Sequence, residues 1–175
     1  MANFIDKSVF VGDLNLPKSQ YDSIDAFISV FEPISLRNLL GHDLYNLLVK
    51  NVSDEPYLSL LNGKEYQVVV NGITYTIAFP GLKKLIPYYV YCEYQRATVT
   101  STQSVGEVKS KQENSYNASV NQKMFSAWVK FEEMCGYPGQ PRTEPSAYNY
   151  LVENSSLFPT WIFTDLRGGI NSHDL

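Results

Sequence analysis

The dipeptide Asn71-Gly72 is the strongest constraint on the fold, because it lies between two runs of strand-forming residues in VVVNGITYTI, residues 68–77. A two-residue hairpin loop of type I′ needs positive φ at both positions, and Asn followed by Gly meets that need with little steric cost. The pattern therefore predicts a β-hairpin over residues 66–79.

The second arm of this hairpin has one apolar and one polar face. Successive side chains of a strand point to opposite faces, which groups Ile73, Tyr75, Ile77 and Phe79 against Thr74, Thr76 and Ala78. An isolated hairpin is marginal in water, so it either packs on its own helices or completes a sheet with another chain. We expect the Ile73, Tyr75 and Ile77 face to pack on the domain, which leaves an edge at Thr74 and Thr76 open to a neighbour.

The rest of the chain predicts helices. Apolar residues recur at helical spacing from Ile24 to Phe31, which predicts a first helix with Ser19 or Ser23 as its N-cap and Pro33 as its end. They recur again in a second helix over residues 35–51 that contains Gly41. A short third helix is expected between a capping Asp54 and a terminating Gly63. Further helices follow the hairpin, one over residues 82–100, one opened by a capping box at Ser119 and Gln122, and one over residues 147–153.

Residues 98–119 form a long polar stretch with few apolar side chains, which predicts an arm between two core helices. Residues 137–175 contain an aromatic patch over residues 157–163 that should pack on the bundle or on a neighbouring chain. A chain of 175 residues fits one domain. The fold class is therefore mainly α: a bundle of about five or six helices with one inserted hairpin and one polar arm, in a single domain over residues 1–175.

Charge and composition argue against several classes of partner. A net charge of −4 and a pI near 5.2 offer no basic field for a phosphate backbone, so we expect no sequence-specific binding of nucleic acid. No stretch has the length of a membrane span, and the first residues lack the apolar run of a signal peptide. Cys92 and Cys135 are far apart in sequence and belong to no metal-binding pattern, so two buried thiols in a reducing compartment are expected.

No residue pattern predicts chemistry. His42 adjoins Asp43, but neighbouring helical residues face different ways and no second catalytic group follows at helical spacing. Glu132 and Glu133 have an adequate structural explanation at the end of a helix. We therefore expect no catalytic residue, no cofactor site, no metal site and no enzymatic activity.

Several strings together resemble a family of phage and prophage proteins from gut bacteria, the head-tail connectors or adaptors. The strings span nearly the whole chain and are LRNLLGHDLYNLL, LLNGKEY, GLKKLIPYYVYCEY, SVGEVKSKQENS and YNYLVENSSLFPTWIFTD through INSHDL. The resemblance implies a small helical protein of the virion that forms a ring beneath the portal and joins the head to the tail. Its partners would be other copies of itself, the portal protein, and tail or stopper proteins, with assembly in the bacterial cytoplasm.

In connectors of this kind a long polar loop between core helices reaches neighbouring subunits or the portal, and residues 98–119 hold the equivalent place. The resemblance thus implies contacts at Val105, Gly106, Val108, Lys109 and Lys111. The hairpin is a departure from the plainest helical connectors, so Asn71, Gly72, Thr74 and Thr76 belong either to an assembly element or to a simple insertion.

A soluble bacterial protein that binds a peptide or carbohydrate is the alternative. The chain contains 13 tyrosines, and tyrosine is a residue of half-exposed contact surfaces. On this hypothesis the ligand would be recognised through the tyrosine-rich helix and the aromatic tail, at Tyr88, Tyr91 and Trp161.

Overall fold

The computed structural model describes residues 3–16, 23–103, 106–109 and 114–166, with residues 99–121 described by their backbone alone. After two short 3-10 helices (Lys7–Val9 and Gly12–Leu14), its α-helices and strands, in chain order, are α1 (Ile24–Lys50), α2 (Tyr57–Asn62), β1 (Lys64–Val70), β2 (Ile73–Phe79), α3 (Leu82–Val99), β3 (Thr100–Gln103), β4 (Gly106–Lys109), α4 (Asn114–Cys135) and α5 (Ala147–Glu153). The predicted class, a small helical bundle with an inserted hairpin, is confirmed.

Helix α3 forms the axis of the bundle. It packs against α1, α2 and α4, and one hydrophobic cluster joins side chains of all five helices to those of β1 and β2. Its side chains are buried on several sides, among them Leu82, Ile86, Val90 and Tyr94. A helix that is apolar around most of its circumference needs such cover.

Helix α1 differs from the prediction of two helices separated at Pro33. Pro33 lies inside the helix, and the backbone breaks instead at Gly41, where φ is 76° and ψ is 167°. That conformation is costly for any residue with a Cβ and available to glycine, so Gly41 rather than proline sets the bend. The prediction that Pro33 ends a helix was wrong.

The predicted third helix is confirmed as α2, which ends where Gly63 forms its C-cap. The predicted cap at Asp54 was wrong, because Pro56 occupies the N-cap position and no side chain caps this end. The nearby Glu55 carboxylate instead accepts a hydrogen bond of 2.7 Å from the Ser59 hydroxyl, one turn into the helix.

The polar stretch 98–119 contains more regular structure than the prediction gave it. Strands β3 and β4 pair antiparallel, with Thr100 opposite Lys109 and Gln103 opposite Gly106, and so form a second hairpin between α3 and α4. Helix α4 begins at Asn114, five residues before the predicted cap at Ser119. The two strands of a hairpin pair about half of their backbone groups with each other and leave the rest to water, so a polar sequence can adopt a hairpin without a large apolar face.

Residues 137–166, the described part of the predicted C-terminal segment, pack on the bundle. Helix α5 matches the predicted bounds, and Ser146 is its N-cap residue, whose hydroxyl accepts a hydrogen bond from the Asn149 backbone N–H. Phe158 lies in the core, whereas Leu157 and Ile162 of the predicted aromatic patch are exposed. The patch is therefore only partly covered by the residues that the structure describes.

Candidate interaction surface

The Asn71-Gly72 turn and the strand register fix which backbone groups of the first hairpin point outward. Asn71 has φ of 52° and Gly72 has φ of 78°, as a type I′ turn requires. Val70 pairs with Ile73 across this turn and Gln67 pairs with Thr76 further down. Because the residues flanking a two-residue turn exchange hydrogen bonds, the alternate residues of each strand direct their N–H and C=O groups away from the hairpin. On β2 these are Thr74, Thr76 and Ala78.

The base of the hairpin is fixed to helix α5. Phe79 stacks on Tyr150 with 4.4 Å between ring centroids, and Tyr66 meets the same ring edge-on at 5.4 Å. The backbone at Gly81 passes directly against the backbone of residues 61–63, and a Cβ at Gly81 or Gly63 would overlap main-chain atoms. Both ends of the hairpin therefore leave the bundle at one closely packed point.

The tip of the hairpin projects beyond this base. Ile77 and Phe79 are buried, but Ile73 is 57% exposed and Tyr75 is 39% exposed, although all four share a face. On the opposite face Val69 is 56% exposed. The prediction that the Ile73, Tyr75 and Ile77 face packs on the domain thus holds only for its lower half, because α5 covers the base and ends short of the tip.

The two edges of the hairpin differ. On the β1 edge Arg142 donates a hydrogen bond of 3.4 Å to the Val69 carbonyl, and the same guanidinium binds the Glu153 carboxylate at 2.7 Å and 2.8 Å. The hydrogen bond with Glu153 raises the pKa of Arg142, which therefore stays charged. On the β2 edge no hydrogen bond joins another described residue to the outward backbone groups of Thr74, Thr76 or Ala78.

The β2 edge also lacks the features that usually protect an exposed strand. Ile73–Phe79 contains no charged residue and no proline, and its side chains at Thr74, Thr76 and Ala78 are exposed. We call β2 with its tip residues the assembly edge, defined by Ile73, Thr74, Tyr75, Thr76 and Ala78.

The described arm residues belong to the second hairpin. Gly106, Val108 and Lys109 are part of β4, where Val108 pairs with Ser101. Val105 and Lys111 lie outside the described residues. The structure therefore brings three of the five arm positions together on one strand, separate in sequence from the assembly edge.

The three aromatic candidates occupy different environments. Tyr88 is half-buried beside Lys130, whose ammonium lies 6.0 Å from the ring centroid, and it lines a cavity of about 540 Å³ with Gln122, Lys123 and Ser126. Tyr91 is 1% exposed and belongs to the core. The prediction that Tyr91 recognises a ligand at the surface was therefore wrong, because helix α3, which carries it, is covered on several sides.

Trp161 is half-buried and makes a contact within its own chain. Its indole Nε1 donates a hydrogen bond of 3.2 Å to the Leu39 carbonyl, and its ring meets Tyr148 edge-on at 5.9 Å. The indole N–H of Trp161 therefore holds the C-terminal segment on α1.

The groups considered for chemistry lie in different environments. His42 is exposed, and its Nε2 lies 3.0 Å from the Asn46 side-chain nitrogen. Cys92 and Cys135 are buried free thiols, as predicted, and burial raises the pKa of Cys92 to about 12. The described residues contain no group of three or more His, Cys, Asp or Glu side chains that could hold a metal ion. None of the described helices has the length and hydropathy of a membrane span.

Glu32 was not singled out by the sequence, although it is 3% exposed. Its carboxylate accepts hydrogen bonds of 2.9 Å and 3.0 Å from the backbone N–H groups of Phe4 and Ile5, and so fixes the N-terminal segment to α1. Burial raises its pKa, while these hydrogen bonds and the charge of Lys83 act in the opposite direction. A glutamate directly before a helical proline gives no sequence signal for this role.

Comparison of the chain with family models, with curated proteins and with solved structures finds no match.

Proposed function

We propose that the chain is a non-enzymatic structural protein of a phage virion, a head-tail connector that assembles as a ring between portal and tail. The resemblance of its residue strings to connector proteins supports this assignment, and the observation that carries it is the assembly edge. A strand that is exposed, uncharged and anchored at its base has the properties of a surface that another chain completes.

The anchoring of the hairpin supports an assembly role over a passive loop. The Phe79 and Tyr150 stack and the backbone contact at Gly81 hold the base rigidly, so the tip is presented in a defined direction. Preorganisation of this kind reduces the entropy lost when a partner binds. The second hairpin, with Gly106, Val108 and Lys109, offers a separate contact for the portal or the next subunit.

The acidic balance is compatible with the proposed place in the virion. With a net charge of −4, the chain repels the phosphate backbone of DNA, and a ring lumen must let DNA slide without binding it. Its location would be the head-tail junction, after assembly in the host cytoplasm.

The test is to purify the chain and measure its mass by light scattering over a range of concentrations, alone and with a portal protein. The expected result is a ring, seen by negative-stain microscopy, that forms alone or on the portal. A strict monomer under both conditions would contradict the proposal, whereas a monomer alone would not, because a connector can require its partner for assembly.

A soluble peptide- or carbohydrate-binding protein is the second candidate, favoured by the cavity beside Tyr88. A tyrosine ring with Gln122, Lys123 and Ser126 around it can stack on a sugar ring or bind a peptide. Specific binding of such a ligand that is lost in Tyr88→Ala, without any ring in the assembly test, would support this function instead.

A further inference from the structure

We propose that the assembly edge pairs with the same edge of a second copy, so that two β2 strands run antiparallel about a twofold axis at Thr76. This inference rests on the proposed function, since it takes the hairpin as an assembly element and names its partner. The result would be a four-stranded sheet with the order β1, β2, then β2 and β1 of the second copy.

The difference between the two edges selects this arrangement. A head-to-tail addition would place β2 of one copy against β1 of the next, but the Val69 carbonyl of β1 is held by Arg142, which Glu153 fixes in place. Pairing of β2 with β2 needs only the open edge of each copy. An interface that uses one surface twice is isologous and gives a closed pair.

The positions of the outward backbone groups select the register. Thr74, Thr76 and Ala78 carry these groups, and centring the axis on Thr76 places Thr74 opposite Ala78 of the second copy. In this register all three residues of each strand exchange hydrogen bonds with the other copy. A shift by two residues along the strand leaves at least one of them without a partner.

The side chains are compatible with the same register. On one face Tyr75 would lie beside Ile77 of the second copy and Ile73 beside Phe79, so the exposed apolar residues at each tip meet the apolar base of the other hairpin. On the other face Thr76 lies opposite Thr76 of the second copy, and threonine pairs across strands are favourable. Because Ile73–Phe79 holds no charge, two acidic chains can approach there without placing like charges opposite each other.

A twofold contact closes after two subunits, so a ring built from such pairs needs a second interface. The second hairpin, which includes Gly106 and Val108, is separate in sequence from the assembly edge and is the candidate for it. The prediction is an even number of subunits in the assembled ring.

Disulfide cross-linking tests the pairing directly. Residues opposite each other in an antiparallel hydrogen-bonded pair have Cα atoms about 5.5 Å apart, which a disulfide can bridge. Thr76→Cys should therefore form a covalent dimer on mild oxidation. Gln67→Cys is the matched control, since Gln67 is exposed, lies opposite Thr76 in the register and shares its face, but belongs to the β1 edge. The native Cys92 and Cys135 are buried and contribute little background.

The expected result is at least about tenfold more covalent dimer for Thr76→Cys than for Gln67→Cys at equal concentration, because pairing raises the effective thiol concentration. Equal yields, or no dimer from either folded variant, would overturn the pairing. The variant Thr76→Pro gives an independent measurement. The Thr76 N–H points away from β1, so its loss leaves the hydrogen bonds within the hairpin intact. This variant should give a folded chain that no longer pairs through β2, while Gln67→Pro should still pair; a Thr76→Pro chain that pairs as the wild type does would also overturn the inference.

The outcomes separate this inference from the proposed function. If rings form on a portal but Thr76→Cys gives no cross-link, the β2 pairing is contradicted and the connector function is supported. If the cross-linked pair forms but neither assembles into rings nor binds a portal, the β2 pairing is supported and the connector function is contradicted.

Discussion

Trp161 and Leu39 are joined by a hydrogen bond of 3.2 Å from the indole Nε1 to the main-chain carbonyl, across 122 residues of sequence. The carbonyl lies in the turn before the break at Gly41, where helical carbonyls lose their regular N–H partners. The C-terminal segment thus supplies a hydrogen-bond donor to a backbone carbonyl next to the bend in α1.

Replacement of Trp161 by Phe should lower the free energy of unfolding by about 1 kcal/mol or somewhat more, because the Leu39 carbonyl loses its donor. Urea unfolding followed by circular dichroism measures this. Ile162→Ala is the control, since the neighbouring Ile162 is 71% exposed and its truncation should have little effect. Equal effects of the two substitutions would show that the hydrogen bond does not stabilise the fold.

Gly81→Ala should destabilise the chain severely, by about 3 kcal/mol or more, because the new methyl group would overlap the backbone of residues 61–63. Gly139→Ala is the matched control: Gly139 also has positive φ, but a Cβ there meets no atom within 4 Å. It should cost only about 1 kcal/mol, from the backbone conformation. Thermal unfolding of both variants checks this, and similar losses would show that the close contact is not important.

The burial of the apolar face at the base of the hairpin could be predicted from the sequence, whereas the exposure of the same face at the tip could not. Strand alternation puts Ile73 and Ile77 on one face, but only tertiary packing decides that Ile77 is buried and Ile73 is exposed. The Asn71-Gly72 turn was predictable because its conformational requirement is local. The Arg142 contact with Val69 was not, because it joins residues that are 73 positions apart.

Helix α1 shows the same division between local and tertiary effects. The sequence pattern predicted an end at Pro33, but tertiary context can override a local propensity, and the helix continues through the proline. Tyr91 likewise carries no local signal of burial. It was assigned to a surface because tyrosine is common there, while the central position of α3 places it in the core.

Glu32→Gln should weaken the pH dependence of stability at mildly acidic pH. Burial raises the pKa of the folded carboxyl above its ordinary value of 4.5, so its contribution favours the fold below that value and is lost as the pH rises through the raised pKa. We expect the wild type to lose more stability than Glu32→Gln between about pH 4 and about pH 7. Glu133→Gln, an exposed control on α4, should follow the wild type. Identical slopes for wild type and Glu32→Gln would contradict the assignment.

Tyr66→Phe should leave the fold intact and stabilise it by up to about 1 kcal/mol, because the buried Tyr66 hydroxyl has no hydrogen-bond partner among the described residues. Burial, with the nearby Glu153 carboxylate, raises the pKa of Tyr66 to about 12 from 10.0. The neutral phenol is therefore favoured in the folded chain, and stability is lost as the pH rises from 10.0 through about 12. Chemical unfolding at alkaline pH should show a smaller loss for Tyr66→Phe; an equal loss would contradict the prediction.

Arg142→Ala should open the second edge of the hairpin by freeing the Val69 carbonyl. With both edges open, pairing no longer stops at two copies, and the chain should form larger species as its concentration rises. Light scattering measures the change in mass. Arg37→Ala removes an exposed arginine that lies 5.0 Å from the Tyr45 ring, away from the hairpin, and should leave the mass unchanged. An unchanged mass in Arg142→Ala would show that Arg142 does not guard the edge.

The meeting of backbone at Gly63 and Gly81 makes the first hairpin a removable unit. Because the chain leaves and re-enters the bundle at neighbouring points, a chain shortened by residues 64–80 could still connect α2 to α3 without stretching. Such a chain would uncover the Tyr150 ring, which Tyr66 and Phe79 now cover, so a polar residue would be needed there. The hairpin can therefore be gained, lost or exchanged as one piece while the helical bundle keeps its connectivity.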